Sequence, residues 1–209
     1  ESESLPKVLE ELKKFDLKIK ILLQKDDIST IDSIKNYNCE IIFQKENGYG
    51  NALIQGISET NTKYFCIFNA DGSFNPSELI NMYSKIENIN LDFVFASRYQ
   101  ENSGSDDDTI VTLVGNFIFT KLGNIFFNLP VTDILYTFVM GKTEKAKSLN
   151  LNKSDFGFCI ELPIKAKRNN MKLDSINSFE RKRIAGKKKV SAFKDGLLIL
   201  LFMIKLFFK

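Results

Sequence analysis

The 209-residue chain is predicted to be an α/β protein with a mostly parallel, Rossmann-like sheet flanked by helices. Short apolar runs alternate with helical patterns along the first hundred residues, and each run stops at residues that favour turns. A polar, acidic turn follows the run at 65–68, where open α/β sheets place their ligands. Strands that alternate with helices form parallel sheets covered on both faces, with right-handed crossovers.

The first hundred residues contain this alternating unit. Residues 5–12 carry leucine and valine at helical spacing, with Ser4 as a possible cap and Pro6 in the first turn. The later predicted elements are a strand at 17–23, a helix near 30–35, a strand at 40–43, a helix after Gly48 and Gly50, the strand at 65–68, a helix capped by Asn75 or Ser77, and a strand at 92–99.

The second half is predicted to add an apolar helix at 114–129, a turn and strand within 129–142, and a helix at 156–169. The C-terminal segment 196–209 is almost wholly apolar, yet a helix of about 13 residues spans only about 20 Å of a bilayer's roughly 30 Å. We therefore expect a domain at 1–190 and, at 191–209, an apolar or amphipathic helix at the membrane interface or a truncated anchor. An ordinary core helix is the alternative.

Composition restricts the classes of protein that are possible. A hydrophobic content of 44%, with 4 Pro and 11 Gly, is typical of a globular domain. The net charge of +3 gives no reason to expect a nucleic-acid partner, although residues 181–189 hold six cations and residues 106–108 form an acidic run. The three cysteines form no pair motif and are expected to be reduced, and Cys66 and Cys159 are expected to be core residues rather than nucleophiles.

The chain contains no histidine. Zinc hydrolysis and Ser-His-Asp chemistry are therefore not expected, and any metal should be a hard cation bound by oxygen atoms, such as Mg²⁺ or Mn²⁺.

The turn after the strand at 65–68 is the first candidate site. Asn69 and Asp71 stand two residues apart, so both side chains can face one ion or one pair of phosphates beyond the sheet edge. A divalent ion that bridges a diphosphate needs only one or two protein carboxylates, and Asp71 is the better ligand. The alternative is that Asp71 and the following glycine merely form a turn.

Six motifs follow one another along the chain in this order: "DD" at 26–27, "NGYGNALIQGI", "NADGSFNPSEL", "ASRY", "FGFCIEL" and "RIAGKKK". In this order and spacing they resemble the family 2 inverting glycosyltransferases of GT-A-like fold, and within them the dolichol-phosphate mannose synthase branch. The resemblance covers residues 1–196. It implies transfer of a sugar from a GDP- or UDP-linked nucleotide sugar to a dolichyl or undecaprenyl phosphate, a polyprenyl phosphate lipid.

The resemblance also implies roles for the matching residues. Nucleotide-sugar binding is implied for Glu1, Asp26, Asp27, Asn69, Ala70, Asp71 and Arg98. A metal ion, Mg²⁺ or Mn²⁺, is implied beside Asn69, Asp71 and Ser73. Binding of the acceptor phosphate is implied for Arg98, Arg183 and Lys189. The implied catalytic set is Asp71, Asp133, Arg183 and Lys189.

The missing histidine bears on the acceptor. A phosphate acceptor is already anionic near neutral pH and needs no strong base, whereas a sugar hydroxyl needs one. For a hydroxyl acceptor, Asp133 or Glu161 would have to serve, and both can equally be read as structural carboxylates paired with nearby cations. Arg183 and Lys189 suit the charge that builds as the nucleoside diphosphate departs, or they lie on a solvated basic face that attracts anionic lipid.

Two of the departures from the family pattern bear most directly on the donor site. Family members begin with a strand that ends in Pro-x-x-Asn-Glu, and this sequence starts at the Glu position. We expect a central strand to be absent, as in a fragment or in a protein that has lost its donor site. Asn69 replaces the first acidic residue of the metal turn, so weaker donor binding is expected.

These observations lead to one main hypothesis and two alternatives. The main one is a polyprenyl-phosphate glycosyltransferase at the cytoplasmic face of a membrane, where the membrane surface is itself a partner. The first alternative is a family relative that acts on a saccharide hydroxyl in polysaccharide or cell-envelope synthesis. The second is a catalytically inactive binding module that keeps the fold.

Overall fold

The fold confirms the predicted α/β class in a computed structural model that describes residues 1–186 and 192–208. The helices of these residues are α1 (Leu5–Leu12), α2 (Ile28–Ile34), α3 (Tyr49–Ser58), α4 (Glu78–Asn88), α5 (Ile110–Phe127), α6 (Thr143–Ser148), α7 (Phe158–Arg168) and α8 (Ala192–Phe207). The strands are β1 (Lys20–Leu23), β2 (Glu40–Phe43), β3 (Tyr64–Ile67), β4 (Phe93–Ser97), β5 (Gly104–Ser105), β6 (Val139–Lys142), β7 (Leu173–Asn177) and β8 (Phe179–Glu180).

The strands of the described chain form three sheets rather than one. A parallel pair joins β1 to β2, a four-stranded sheet has the order β3-β6-β4-β7, and a short parallel pair joins β5 to β8. The four-stranded sheet is mixed, because β6 runs antiparallel to both β3 and β4. The sequence predicted the strand but not its direction. Val139, the first residue of β6, pairs with Phe95 near the end of β4, so the chain enters β6 where β4 ends and runs back beside it.

Strand β4 lies at the centre of the core. All five of its residues are buried, with Phe93 and Phe95 on one face and Val94 and Ala96 on the other. Helices cover both faces, as the sequence predicted. Full burial of a side chain as large as Phe93 or Val94 stabilises the fold by about 1.5–3 kcal/mol relative to leaving it exposed. Burial of this strand therefore stabilises the main sheet.

The pair β1–β2 has a small core of its own. Ile21 and Leu23 pack with Leu5 and Leu9 of α1 and with Ile34 of α2. No strand in the described chain joins this pair to β3, so the two sheets are separate.

Helix α8 has two different faces. Ile199, Met203 and Leu206 are buried in the main core, and the Arg168 guanidinium of α7 donates a hydrogen bond to the Leu206 carbonyl. The opposite face is apolar and exposed, as at Leu201. The buried face matches the alternative of a core helix that closes the domain, and the role of the other face as a membrane contact stays a prediction.

The start of α3 is pressed against the loop at 152–155. The Gly50 amide donates a 2.8 Å hydrogen bond to the Ser154 carbonyl, and a Cβ atom at Gly50 would lie well inside van der Waals distance of the Lys153 carbonyl oxygen. This close approach explains the second glycine of "NGYG". It also fixes the loop against one wall of the site described below.

Replacing Gly50 with alanine should lower the free energy of unfolding by about 1–3 kcal/mol, because backbone atoms must move to admit the methyl group. Gly115 is the matched control, since a Cβ atom there meets nothing within 4 Å and alanine favours the helix by about 0.5–1 kcal/mol. Chemical denaturation of both variants measures the difference. Equal effects of G50A and G115A would contradict the packing described here.

Candidate active site

One large cavity brings most of the predicted site residues together. Its volume is about 1830 Å³, and it opens where β1 and β3 end. The predicted residues that line it are Glu1, Asp26, Asp27, Asn69, Ala70, Asp71, Arg98 and Arg183. The acidic turn, Asp27 and Arg98 therefore line one shared cavity, as the sequence predicted.

The acidic turn at 69–73 is held rigidly. The Asp71 carboxylate accepts a 3.0 Å hydrogen bond from the Ser73 amide, and Gly72 has a φ of +83°, which favours glycine. The Ile184 amide donates a 2.8 Å hydrogen bond to the Asp71 carbonyl. The first part of the basic segment, 181–186, is thereby tied to the turn.

Arg183 is the cation nearest to Asp71 among the described residues. Its guanidinium lies 3.7 Å from the Asp71 carboxylate and donates 2.8 and 3.3 Å hydrogen bonds to Asp107. The hydrogen bonds to Asp107 raise the pKa of Arg183, against the opposing effect of its partial burial. Arg183 therefore stays charged and stands where a diphosphate bound at Asp71 would meet it.

Arg98 lies at the centre of a buried cluster of charges. Its guanidinium forms a fork with Asp133, at 2.7 and 3.1 Å, and contacts Glu180 at 3.0 Å and Asp108 at 3.3 Å. The ring of Tyr136 stacks against it, 4.5 Å away. Burial opposes the charge, but Asp133 and then Glu180 outweigh burial and raise the pKa of Arg98.

This cluster corrects the expected roles of two residues. Asp133 is fully buried, does not line the cavity and has both carboxylate oxygens bound by Arg98, so it positions the arginine rather than acting as a base. Arg98 lines the cavity but is already bound to three carboxylates, which would compete with any phosphate. Its assignment to the acceptor phosphate thus loses its physical basis.

Of three further residues, Ser73 differs from its expected place, Glu161 matches the structural alternative, and Lys189 is not among the described residues. Ser73 is 1% exposed and lies under the turn, outside the cavity lining, so it does not face an ion there. Glu161 is fully buried and binds the amides of Asn152 and Lys153 and the Lys165 ammonium, so it is a structural clamp for the loop at 152–155. Lys189 lies outside the described residues.

The opposite rim of the cavity begins after β1. Asp27 caps α2 and accepts hydrogen bonds from the Thr30 amide and the Ser29 hydroxyl, both 3.2 Å long. Burial opposes ionisation, but the hydrogen bonds from Thr30 and Ser29 lower the pKa of Asp27. Asp26 beside it is exposed. This rim offers carboxylates to the hydroxyl and amino groups of a nucleoside.

Sequence reasoning missed several residues of the site. Asp107 and Asp108 belong to the acidic run noted for its charge, and its position just before an apolar helix was the available signal. Tyr49, in the "NGYG" motif, stacks on Phe156 at 4.9 Å and bonds Thr137 at 2.6 Å. No local pattern marked Glu180, which comes from a distant strand.

The cysteines do not contribute a nucleophile. Cys66 and Cys159 line the cavity, and burial raises the pKa of both thiols, that of Cys159 to about 12. Both therefore stay protonated near neutral pH, as expected for core residues.

The oxygen atoms at the site suit a divalent ion that arrives with its ligand. Within the part of the chain that is described, no three acidic or cysteine side chains converge as a preformed metal cage. Five carboxylates nevertheless surround two guanidinium groups at the site: Asp71, Asp107, Asp108, Asp133 and Glu180 around Arg98 and Arg183. This excess of negative charge, with Asp71 and Asn69 on the rim, fits an ion that arrives with a diphosphate and takes one or two protein ligands.

The sequence matches the family model "Glycosyl transferase family 2" over residues 1–149. The chain belongs to glycosyl transferase family 2. No curated protein sequence matches it well enough to count as a relative. In this family 2 member, the match covers both rims of the cavity and the Arg98–Asp133 pair, and it ends before Glu180 and Arg183.

Solved structures agree with the GT-A-like fold. Glucosyl-3-phosphoglycerate synthase from Mycobacterium tuberculosis, in complex with UDP, superposes with a TM-score of 0.74 at 11% identity, covering 99% of this chain and 76% of that one. The same enzyme with Mn²⁺, UDP and glucosyl-3-phosphoglycerate gives 0.72 at 12% identity, covering 97% and 76%. Mannosyl-3-phosphoglycerate synthase from Rubrobacter xylanophilus gives 0.63 at 14% identity, covering 98% and 69%. At these identities the likeness concerns the fold alone.

Replacing Arg98 with methionine should cost about 3–5 kcal/mol of stability near neutral pH, because three buried carboxylates lose their cation. The deficit should shrink as the solution is acidified, since protonation neutralises those carboxylates. Urea denaturation at several pH values measures both effects. The exposed pair of Glu10 and Lys13 provides the control, and E10Q should leave the midpoint unchanged. A deficit in R98M that is constant with pH would indicate lost packing rather than lost charge.

Proposed function

We propose that this family 2 member transfers a sugar from a nucleotide sugar to the phosphate of a polyprenyl lipid at a membrane surface. The observation that carries the proposal is helix α5, which lines the active-site cavity with Thr112 and Asn116 while its apolar face is exposed. The donor half of the proposal rests on the acidic turn and Arg183.

The donor half is supported by the rim of the cavity. Asp71 and Asn69 would hold Mg²⁺ or Mn²⁺ together with the diphosphate, and the bound ion would offset the negative charge that grows on the leaving group. Arg183 would stabilise the same charge from the other side, more in the transition state than before it. The M. tuberculosis enzyme named above was solved with Mn²⁺ and UDP, which favours this assignment.

Helix α5 has the reverse of the usual pattern for a surface helix. Asn116 bonds the Tyr99 hydroxyl at 2.9 Å, Thr120 accepts from the Ile134 amide at 3.2 Å, and Asn124 bonds two carbonyls at 2.8 Å. The opposite face exposes large apolar side chains: Ile110, Val111, Leu113, Val114, Phe117, Ile118, Ile125 and Phe126. Water is a poor partner for such a face, whereas lipid is a good one.

Helix α8 enlarges the same surface. It packs against α5, and the rings of Phe126 and Phe207 meet at 5.5 Å. Its own exposed apolar residues include Leu197, Leu201 and Ile204, and the exposed Phe208 follows its last residue. Lys121, Lys194 and Lys205 are exposed on these two helices and can face anionic headgroups. By length and composition, α5 also passes as a membrane-crossing helix in the described chain, but its polar face is bound to the domain, which favours lying along the surface.

The positions of the two candidate bases favour a phosphate acceptor. Asp133 is bound by Arg98 on both oxygens, and Glu161 is bound by backbone amides and Lys165. Neither is available to take a proton from a sugar hydroxyl, and the chain has no histidine. A lipid phosphate is anionic without help and needs only orientation.

A soluble phosphorylated acid is the second candidate acceptor. The similar structures include two synthases of sugar-linked 3-phosphoglycerate, which favours a small acceptor that also carries a phosphate. This candidate leaves the apolar face of α5 without a role.

A transfer assay with radiolabelled GDP- and UDP-sugars, with either polyprenyl phosphate in vesicles or 3-phosphoglycerate, separates the two acceptors. Organic-extractable product supports the lipid acceptor, water-soluble product alone supports the small acceptor, and no product in either supports an inactive binding module.

Replacing Asp71 with alanine should abolish the part of UDP or GDP affinity that depends on Mn²⁺, because the better metal ligand is lost. Titration calorimetry with and without Mn²⁺ measures it, and circular dichroism checks the fold. The control is D32A, an exposed residue on α2 away from the cavity lining, which should bind as the wild type does. Unchanged Mn²⁺-dependent affinity in D71A would mean that this turn is only a turn.

The double variant I118E/I125E should lose at least about tenfold in affinity for vesicles of phosphatidylcholine and phosphatidylglycerol, because two exposed apolar side chains of α5 become charged. Vesicle sedimentation measures the change. The control is I89E, which charges a side chain of similar exposure, 54%, at the end of α4. If I89E weakens binding as much as the double variant does, α5 is not the contact surface.

A further inference from the structure

We propose that Asp107 is a positioning residue for the donor site: it holds the Arg183 guanidinium off Asp71, so that the Asp71 carboxylate stays open to a metal ion. This inference rests on the proposed function, because it needs a diphosphate that binds together with a divalent ion at Asp71. Asp107 itself acts through Arg183 and requires no contact with the donor.

The guanidinium of Arg183 is held from one side. Its Nε and Nη2 atoms donate hydrogen bonds of 3.3 and 2.8 Å to the two carboxylate oxygens of Asp107. Its third nitrogen, Nη1, lies 3.7 Å from Oδ2 of Asp71, which is longer than a hydrogen bond. A fork of two charge-assisted bonds is stronger and more directional than a single contact. Asp107 therefore fixes the direction in which Nη1 points, which is toward the space beside Asp71.

The two oxygens of the Asp71 carboxylate have different surroundings. Oδ1 accepts the hydrogen bond from the Ser73 amide, at 3.0 Å, whereas Oδ2 is the oxygen that faces Arg183. An ion that arrives with a diphosphate needs only one or two protein oxygens, and Oδ2 can supply one. A shift of Nη1 by about 1 Å would close a direct ion pair with Oδ2, and that pair would compete with the ion.

The loop that carries Asp107 is joined to the strand that leads to Arg183. The Ser105 hydroxyl donates a 2.6 Å hydrogen bond to the Glu180 carboxylate and accepts a 3.1 Å bond from the Asp107 amide. The Asp106 amide donates a 2.9 Å bond to the Glu180 carbonyl, next to the paired strands β5 and β8. Both partners of the fork therefore stand on one hydrogen-bonded unit, which gives the fork a fixed base.

The charge of Asp107 has two opposite effects on a bound diphosphate. It adds a negative charge near the site, but the Arg183 guanidinium, 2.8 Å away, largely neutralises that charge. It also prevents Arg183 from pairing with Asp71, and nothing else in this geometry replaces the Asp71 oxygen if that pair forms. The side chains of all three residues are only 11–22% exposed, so water screens their contacts poorly. The second effect is the larger one, and loss of the Asp107 charge should weaken donor binding.

A double-mutant cycle on the full chain tests whether Asp107 acts through Arg183. Titration calorimetry with UDP and GDP, with and without Mn²⁺, measures the affinity that depends on Mn²⁺, and circular dichroism checks the fold. D107N should lower this affinity at least about tenfold, because Arg183 is released toward Asp71. R183M should also bind more weakly than the wild type, since a phosphate-facing cation is lost. D107N/R183M should bind as R183M does, because no guanidinium remains to pair with Asp71.

The matched control is D106N, which removes the same charge from an exposed neighbour outside the cavity lining and should bind as the wild type does. D107E keeps the charge and should lose less than D107N, and it forms the same cycle with R183M if D107N is unfolded. An effect of D107N no larger than that of D106N, or one of equal size in the R183M background, would overturn the role of Asp107 while donor binding stands. A wild-type chain that binds neither nucleotide with Mn²⁺ would overturn the proposed function, and this inference with it.

Discussion

The ion cluster around Arg98 is the interaction on which the site depends. A single guanidinium holds Asp108, Asp133 and Glu180, which come from three distant parts of the chain. Without this guanidinium, the free-energy cost of burying the three negative charges together would be too high. The cluster thereby joins the end of β4, the entry to α5 and the strand that leads to Arg183. The rim that would face a diphosphate takes its shape from charges that need not touch the substrate.

The sequence predicted the fold more completely than the chemistry. Strands 40–43, 64–67 and 93–97 and most helices lie within a few residues of their predicted places, because each has a continuous apolar or helical pattern. The antiparallel β6 was not predictable, since a strand's direction depends on pairing and not on its composition. The two-residue strands β5 and β8 were missed because so short a run has no periodicity.

For the candidate site, the sequence likewise predicted the residues more completely than their roles. Asp71 could be found because it stands just after a buried strand, whereas Asp27 and Arg183 were placed at the site by the family resemblance. Asp133 and Arg98 were also found, but their roles were misjudged, since nothing in either segment shows that the two side chains bind each other across 35 positions of sequence. Charge pairing between distant residues is a property of the folded chain alone.

The place of β6 also affects how the protein is made. Its residues, 139–142, lie between β3 and β4, which end at residues 67 and 97, so the two earlier strands cannot be joined until Lys142 has left the ribosome. Until then the nascent chain carries apolar strands with open edges, a state that is slow to resolve and prone to aggregate. The four-stranded sheet can therefore close only after β6 has been made, well after β3 and β4.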